Sequence, residues 1–110
     1  MRDESPLGAF EEQVLLAVVH AGGDAFGMNV RREIERRTDR DVAIGAVYAT
    51  LDRLEAKRLI TSTRSRGAGS SRRIFRVTAA GMKALAETRL MRDRLWRGID
   101  LGRLAPVVKT

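Results

Sequence analysis

Arginine dominates the chemistry this chain can offer. Between Glu55 and Glu87 there is no acidic residue, while Lys57, Arg58, Arg64, Arg66, Arg72, Arg73, Arg76 and Lys83 all fall in that interval. A guanidinium is a planar fork of donors that matches phosphate oxygens. The basic stretch TSTRSRGAGSSRRIFRVT follows directly on a helical pattern, AIGAVYATLDRLEAKRLI. A helix can enter the major groove of duplex DNA while a basic hairpin beside it follows the phosphates. The candidate contacts divide accordingly. Ala46, Tyr48, Ala49, Thr50 and Arg53 form an outward helix face. Small residues there allow close approach, Thr50 or Ala49 can touch a thymine methyl, and Arg53 can reach a guanine edge or a phosphate. Arg64, Arg66, Arg72 and Arg73 neutralise phosphates. A basic run alone reads as a solvated loop; the helix pair ahead of it favours DNA. GAGSS is a hairpin tip and not a phosphate-cradling loop, because no Gly-Lys-Ser/Thr follows it.

Charge is distributed unevenly. Of the formal +7, residues 1–43 contribute −3, residues 44–83 contribute +7 and residues 84–110 contribute +3. A solubilising surface would mix the signs, whereas a polyanion site concentrates one of them. With one histidine and no cysteine, Ser-His and Cys-His pairs and the common zinc sites are nearly excluded. No catalytic residue, metal or cofactor is expected. His20 reads as a helix C-terminal group that can cap a carbonyl. The start, MRDESPLGAF, has no apolar stretch, and no run approaches the ~18 apolar residues of a membrane span. The expectation is a cytoplasmic protein without a membrane partner.

The elements that must position these groups follow from periodicity. Ser5-Pro6 reads as a helix start, and Phe10, Val14, Leu15, Val18 and Val19 recur at helical spacing, giving a first helix over 8–20. Met28, Val30 and Ile34 line a second helix over 27–38. Its arginines, Arg31, Arg32, Arg36 and Arg37, alternate with acids and read mainly as a solvated face with internal pairs. Val47, Leu51 and Leu54 point a third helix, 44–57, inward. Ile60, Ser62 and Arg64 alternate with Thr61, Thr63 and Ser65 as a strand, and Ile74–Val77 returns. Thr78 caps a fourth helix that reaches the middle 90s, where Gly98, Gly102 and Pro106 end it. Helix, helix, turn, helix, two strands, helix is the order of a winged helix-turn-helix. The expected fold class is mainly α with a small β-hairpin wing. Residues 1–78 form the winged domain, and 79–110 a C-terminal dimerisation helix with an irregular tail, both in one compact unit.

Four stretches also resemble the PadR-like family of bacterial transcriptional regulators: LGAFEEQVLLAVV, FGMNVRREIERRT, IGAVYATLDRLEAKRLI and RRIFRVTAAGMKAL. They match in order and spacing over residues 7 to about 97. The resemblance implies operator binding and, in related regulators, sensing of a small aromatic or planar molecule near the dimer interface. Departures are visible. The family usually has glycine where Arg58 stands, Ser or Thr at Ala46, Ser at Ala43 and Tyr at Phe75. A left-handed helix end at Arg58 would cost a non-glycine residue roughly 1 kcal/mol.

Met82, Leu85, Ala86, Leu90, Met91, Leu95 and Trp96 occupy more than one stripe of the last helix. One stripe can pack on the winged domain; the other needs a second copy. Helix one, apolar on both its Val14/Val18 and Leu15/Val19 sides, can share that interface. Leu90, Met91, Leu95 and Trp96 are therefore the candidate dimer or effector surface. The expected partners are double-stranded DNA, a second copy of the chain and a small-molecule effector, with repression as the action. Two other readings stay open at this point: a winged-helix module for structured RNA, and one that docks a protein without binding an operator.

Overall fold

The computed structural model describes residues 7–67 and 70–103, the side chains of 66, 67, 70 and 71 excepted. The first helix, α1, spans Ala9–Ala21. The Gly8 N–H, left over at its start, is accepted by Glu11 Oε1 at 3.0 Å. Val14, Leu15, Ala17 and Val18 are buried along it, whereas Leu16 and Val19 face solvent. The helix therefore does not offer its Leu15/Val19 side as a whole: Leu15 is core, and only Val19 is free. Gly22, with φ 58°, ends α1, its N–H reaching Val18 O and Val19 O. One turn of 3-10 helix, Gly22–Asp24, follows.

α2 covers Gly27–Thr38 and buries Gly27, Val30 and Ile34. It ends on Asp39 in the left-handed region, with φ 56°. α3 covers Ile44–Ala56, and its first residue is preceded by Ala43, whose methyl cannot cap the helix. Its buried stripe is Val47, Thr50, Leu51 and Leu54. Two antiparallel strands follow, β1 (Ile60–Gly67) and β2 (Ser70–Val77), in register from Ile60↔Val77 to Gly67↔Ser70. The ladder thus continues into the GAGSS stretch expected as a loop, and only 68 and 69 separate the strands. Cross-strand partners share a face. Ile60, Ser62 and Arg64 therefore lie with Val77, Phe75 and Arg73, and Thr61, Thr63 and Ser65 lie with Arg76, Ile74 and Arg72. The Phe75 N–H donates to Ala25 O at 2.8 Å, so the link between α1 and α2 is stitched onto the outer strand.

The core is one cluster. Leu15 and Val18 of α1, Val30 and Ile34 of α2, Leu51 and Leu54 of α3, Ile60 and Phe75 of the hairpin and Leu85 of the last helix all meet in it. That last helix, α4, covers Ala79–Trp96. Thr78 Oγ1 accepts from Gly81 N–H at 3.0 Å, the expected N-cap. The same hydroxyl donates to Arg58 O at 2.9 Å, and Thr78 N–H donates to Leu59 O at 3.0 Å. The start of α4 is thereby tied to the turn that closes α3.

That turn settles the question raised by Arg58. Its φ is 62°, so an arginine occupies the left-handed position where glycine is easiest. The bond from Leu59 N–H to Leu54 O, 3.0 Å, closes the helix end around it. Arg58→Gly is expected to raise stability by about 0.5–1 kcal/mol. This is the difference between the relieved left-handed strain, ~1–2 kcal/mol, and the larger unfolded-state freedom of glycine, ~0.5–1 kcal/mol. Urea midpoints of the two chains measure it, and an equal or lower midpoint for the variant contradicts the account.

Residues 1–6 and 104–110 lie outside the described residues, and with them the expected helix start at Ser5-Pro6 and the stop at Pro106.

Candidate nucleic-acid interface

The outward side of α3 is set by its inward one. With Val47, Thr50, Leu51 and Leu54 in the core, the opposite stripe is Gly45, Ala49, Asp52 and Ala56, at i, i+4, i+7 and i+11. Ala46 and Ala49 are exposed, as expected. Thr50 is not: it is 2% exposed, and its hydroxyl accepts from Arg53 Nη2 at 3.1 Å. A thymine methyl cannot reach it, and Thr50 leaves the list of contacts. Its spacing, three after Val47 and four before Leu54, already placed it on the inward stripe; its polar side chain suggested otherwise. Arg53 remains exposed beside it.

Tyr48 is half-exposed, and its ring lies over the start of α2. A Cβ added to Gly27 would stand 2.3 Å from Tyr48 Cζ and Oη. Gly27 thus admits the tyrosine ring, so Tyr48, expected on the outward face, packs its ring against the start of α2 and leaves only part of its surface outward. Ala43 provides no cap, and the first intrahelical bonds at this end run from Ala46 and Val47 N–H to Ala43 O. The N–H groups of Ile44 and Gly45 precede those bonds, and the first N–H groups of a helix have no acceptor within it.

The four wing arginines separate into different roles. Arg64 is exposed on the α3-facing side of the hairpin. Arg72, on the other face, stacks its guanidinium over Phe26, 4.4 Å from the ring centroid. Such stacking fixes the plane while leaving the in-plane donors free for an anion. Arg73 is engaged within the chain. Nη1 lies 3.2 Å from Asp52 Oδ1 and Nη2 lies 2.7 Å from Glu55 Oε1, and its guanidinium covers the Phe75 ring at 4.8 Å. Glu55 also accepts from Ser62 Oγ at 2.7 Å. The Arg66 side chain lies outside the described residues.

The arginines of α2 behave as internal pairs. Arg31 meets Glu35 at 3.3 Å, and Arg36 and Arg37 both meet Glu33. Bonds from Arg37 to Glu33 and from the Val42 N–H to Glu35 hold both carboxyls below the usual range. Burial pushes Glu11 up, but the Gly8 N–H and the Lys57 ammonium, 3.0 Å away, outweigh it and leave that carboxyl low as well. Lys57 is therefore tied to the start of α1. Among the described residues no acidic partner stands on Arg40, Arg64, Arg72 or Arg76. Also among them, no group of three or more His, Cys, Asp or Glu side chains is placed to hold a metal, and no helix is long and apolar enough to cross a membrane.

α4 carries the expected apolar surplus. Only Gly81, Leu85 and Thr88 are buried in it. Leu90, Leu95 and Trp96 are exposed, at 46%, 70% and 55%, and Met91 is half-buried. The helix touches α1 through an Arg92–Glu12 ion pair, and Leu7 N–H donates to Thr88 Oγ1 at 3.1 Å. Between α1 and α2 an apolar groove of about 130 Å³ runs past Leu16, Ala17, His20 and Ile34.

Helix pair, hairpin and trailing helix in this arrangement define a winged helix-turn-helix fold. The family model of the PadR-like transcriptional regulators matches residues 15–87. The transcriptional regulator Rv3488 of Mycobacterium tuberculosis is 36% identical over 88 residues, covering 78% of this chain and 81% of the relative. The fold is similar to that of a PadR family regulator from Eggerthella lenta, with TM-score 0.66 and 23% identity over 83% of this chain and 79% of that one. It is also similar to that of a transcriptional regulator from Clostridium thermocellum, with TM-score 0.69 and 20% identity over 79% and 85%. This chain belongs to the PadR-like family of transcriptional regulators. That membership makes it a DNA-binding regulator and not an enzyme.

Proposed function

We propose that the chain is a sequence-specific binder of double-stranded DNA that represses transcription as a homodimer. One observation carries the reading. The wing is bolted to the outward side of α3 through Arg73, Asp52 and Glu55, so a basic hairpin and a helix with a small-residue outer stripe present themselves together. Ala46, Ala49 and Arg53 would face the groove, and Tyr48 a phosphate at its edge. Arg64, Arg72 and Arg66 would follow the backbone. Residues 1–78 act as the reading unit and 79–110 as the pairing unit. Two copies joined through α4 place their reading helices about one helical turn apart, ~34 Å, on the two halves of an operator. A dimer seated there blocks access to a promoter. Trp96, with Met91 and Leu95, supplies an apolar aromatic surface at the outer half of α4, which suits a small planar effector that loosens the dimer; Trp96 emission reports such binding.

Affinity for an operator fragment measured over a salt series tests the reading. For ~6 contacted phosphates the binding constant is expected to fall on the order of 10³-fold between 50 and 200 mM salt. Arg64→Ala and Arg72→Ala are each expected to lower the logarithmic slope by about one per subunit, on every sequence alike. A slope that neither change alters places the phosphate contacts elsewhere.

A further inference from the structure

Asp52 is an acidic residue on the surface of a helix that this reading sends into a polyanion. It stands on the outermost stripe of α3 with Gly45, Ala49 and Ala56, and its side chain is 63% exposed. The other three residues offer a hydrogen or a methyl group. Asp52 alone on that stripe has a polar group long enough to test a base edge. A bare carboxylate among phosphates would be repelled, but this one is not bare. Arg73 reaches across from β2 to within 3.2 Å of its Oδ1 and is itself braced by Glu55 and the Phe75 ring. The brace fixes both the charge balance and the direction of the carboxylate.

We infer that Asp52 is a specificity-determining residue that accepts a hydrogen bond from the exocyclic amine of one cytosine in each half-site, with Arg73 as its positioning residue. The inference rests on α3 being the reading helix. An ionised carboxylate only accepts, so its partner in the major groove must be a donor. Two exist there, the N4 amine of cytosine and the N6 amine of adenine. Adenine sets its N7 acceptor beside N6, which repels the second carboxylate oxygen, and guanine and thymine offer acceptors. Cytosine is left. Arg73 thereby contributes to recognition without itself meeting a phosphate, which distinguishes it from its neighbour Arg72.

Selection of randomised duplexes by the intact chain and its variants, followed by sequencing of the bound fraction, tests this. The wild type is expected to prefer cytosine at one position of each half-site by about fivefold to tenfold. Asp52→Asn moves the preference at that position to adenine, because a carboxamide can accept from N6 and donate to N7. Asp52→Ala removes discrimination at that position and leaves the others. Arg73→Lys keeps the ion pair and the cytosine. Arg73→Ala blurs the cytosine preference while leaving the salt slope as it was, because Ile60 and Phe75 in the core and the Phe75 N–H bond to Ala25 O still hold the wing in place; a merely structural residue would not separate those two readouts. An unchanged base preference in both Asp52 variants, or a uniform loss on all sequences, overturns the inference and leaves the DNA reading standing. Absence of salt-dependent duplex binding by the wild type overturns the reading beneath it.

Discussion

Gly81→Ala is expected to cost about 3 kcal/mol of stability, on the order of a 15 °C fall in the thermal midpoint for a domain of this size. The reason is local and severe. A Cβ at Gly81 would stand 2.2 Å from Leu59 O and 2.7 Å from Val77 Cγ1. A side-chain tip can swing aside, but the Leu59 carbonyl cannot do so cheaply. It accepts the Thr78 N–H and sits in the turn held by Arg58 and Leu54. To admit a methyl, α4 must move off the hairpin. That would draw Leu85 out of the core and stretch the Thr78 cap, whose hydroxyl receives the Gly81 N–H. Thermal unfolding followed by circular dichroism measures the loss, and a midpoint within a few degrees of the wild type would show that α4 docks loosely. Gly45→Ala is the matched control: nothing stands within 4 Å of a Cβ there, so this change is expected to leave the midpoint equal or slightly higher.

Leu95→Asp is expected to leave the fold intact and to cut operator affinity by roughly 10²–10³-fold, the range lost when two linked sites bind singly. Leu95 is 70% exposed and makes no part of the core. Its replacement therefore has little to disturb within one chain. In the proposed dimer it lies with Leu90 and Trp96 along the outer half of α4, where a carboxylate would be buried without a partner. Each half of the pair would then meet DNA alone, with a few phosphate contacts and one reading helix. Sedimentation equilibrium reads the first consequence as a shift from twice the chain mass to once. Fluorescence anisotropy on an operator fragment reads the second. A variant that stays dimeric with full affinity would move the proposed interface away from this end of α4.

Much of the fold was legible in the sequence because helices and strands are short-range periodicities. Val30 and Ile34 marked the inner side of α2, whose bounds Gly27–Thr38 are those expected, and Val47, Leu51 and Leu54 did the same for α3. Ile60, Ser62 and Arg64 alternated as a strand does, and Thr78 announced the start of α4. The glycine-rich stretch misled in the other direction. Small residues suggested a five-residue tip, whereas the backbone ladder, indifferent to side-chain size, continues to Gly67↔Ser70. Thr50 misled because residue type was set above spacing. Its hydroxyl finds a donor in Arg53, so a polar group is buried at little cost.

The composition and periodicity of this chain determined a winged helix with a concentrated positive charge, since both are sums and rhythms readable over a few residues. Only the tertiary structure decided what each arginine does. Arg72 and Arg73 are neighbours in sequence, yet one stacks on Phe26 and the other clamps residues 21 and 18 positions away. Adjacent strand residues point to opposite faces, and the partner each long side chain meets is supplied by whichever helix folds against that face.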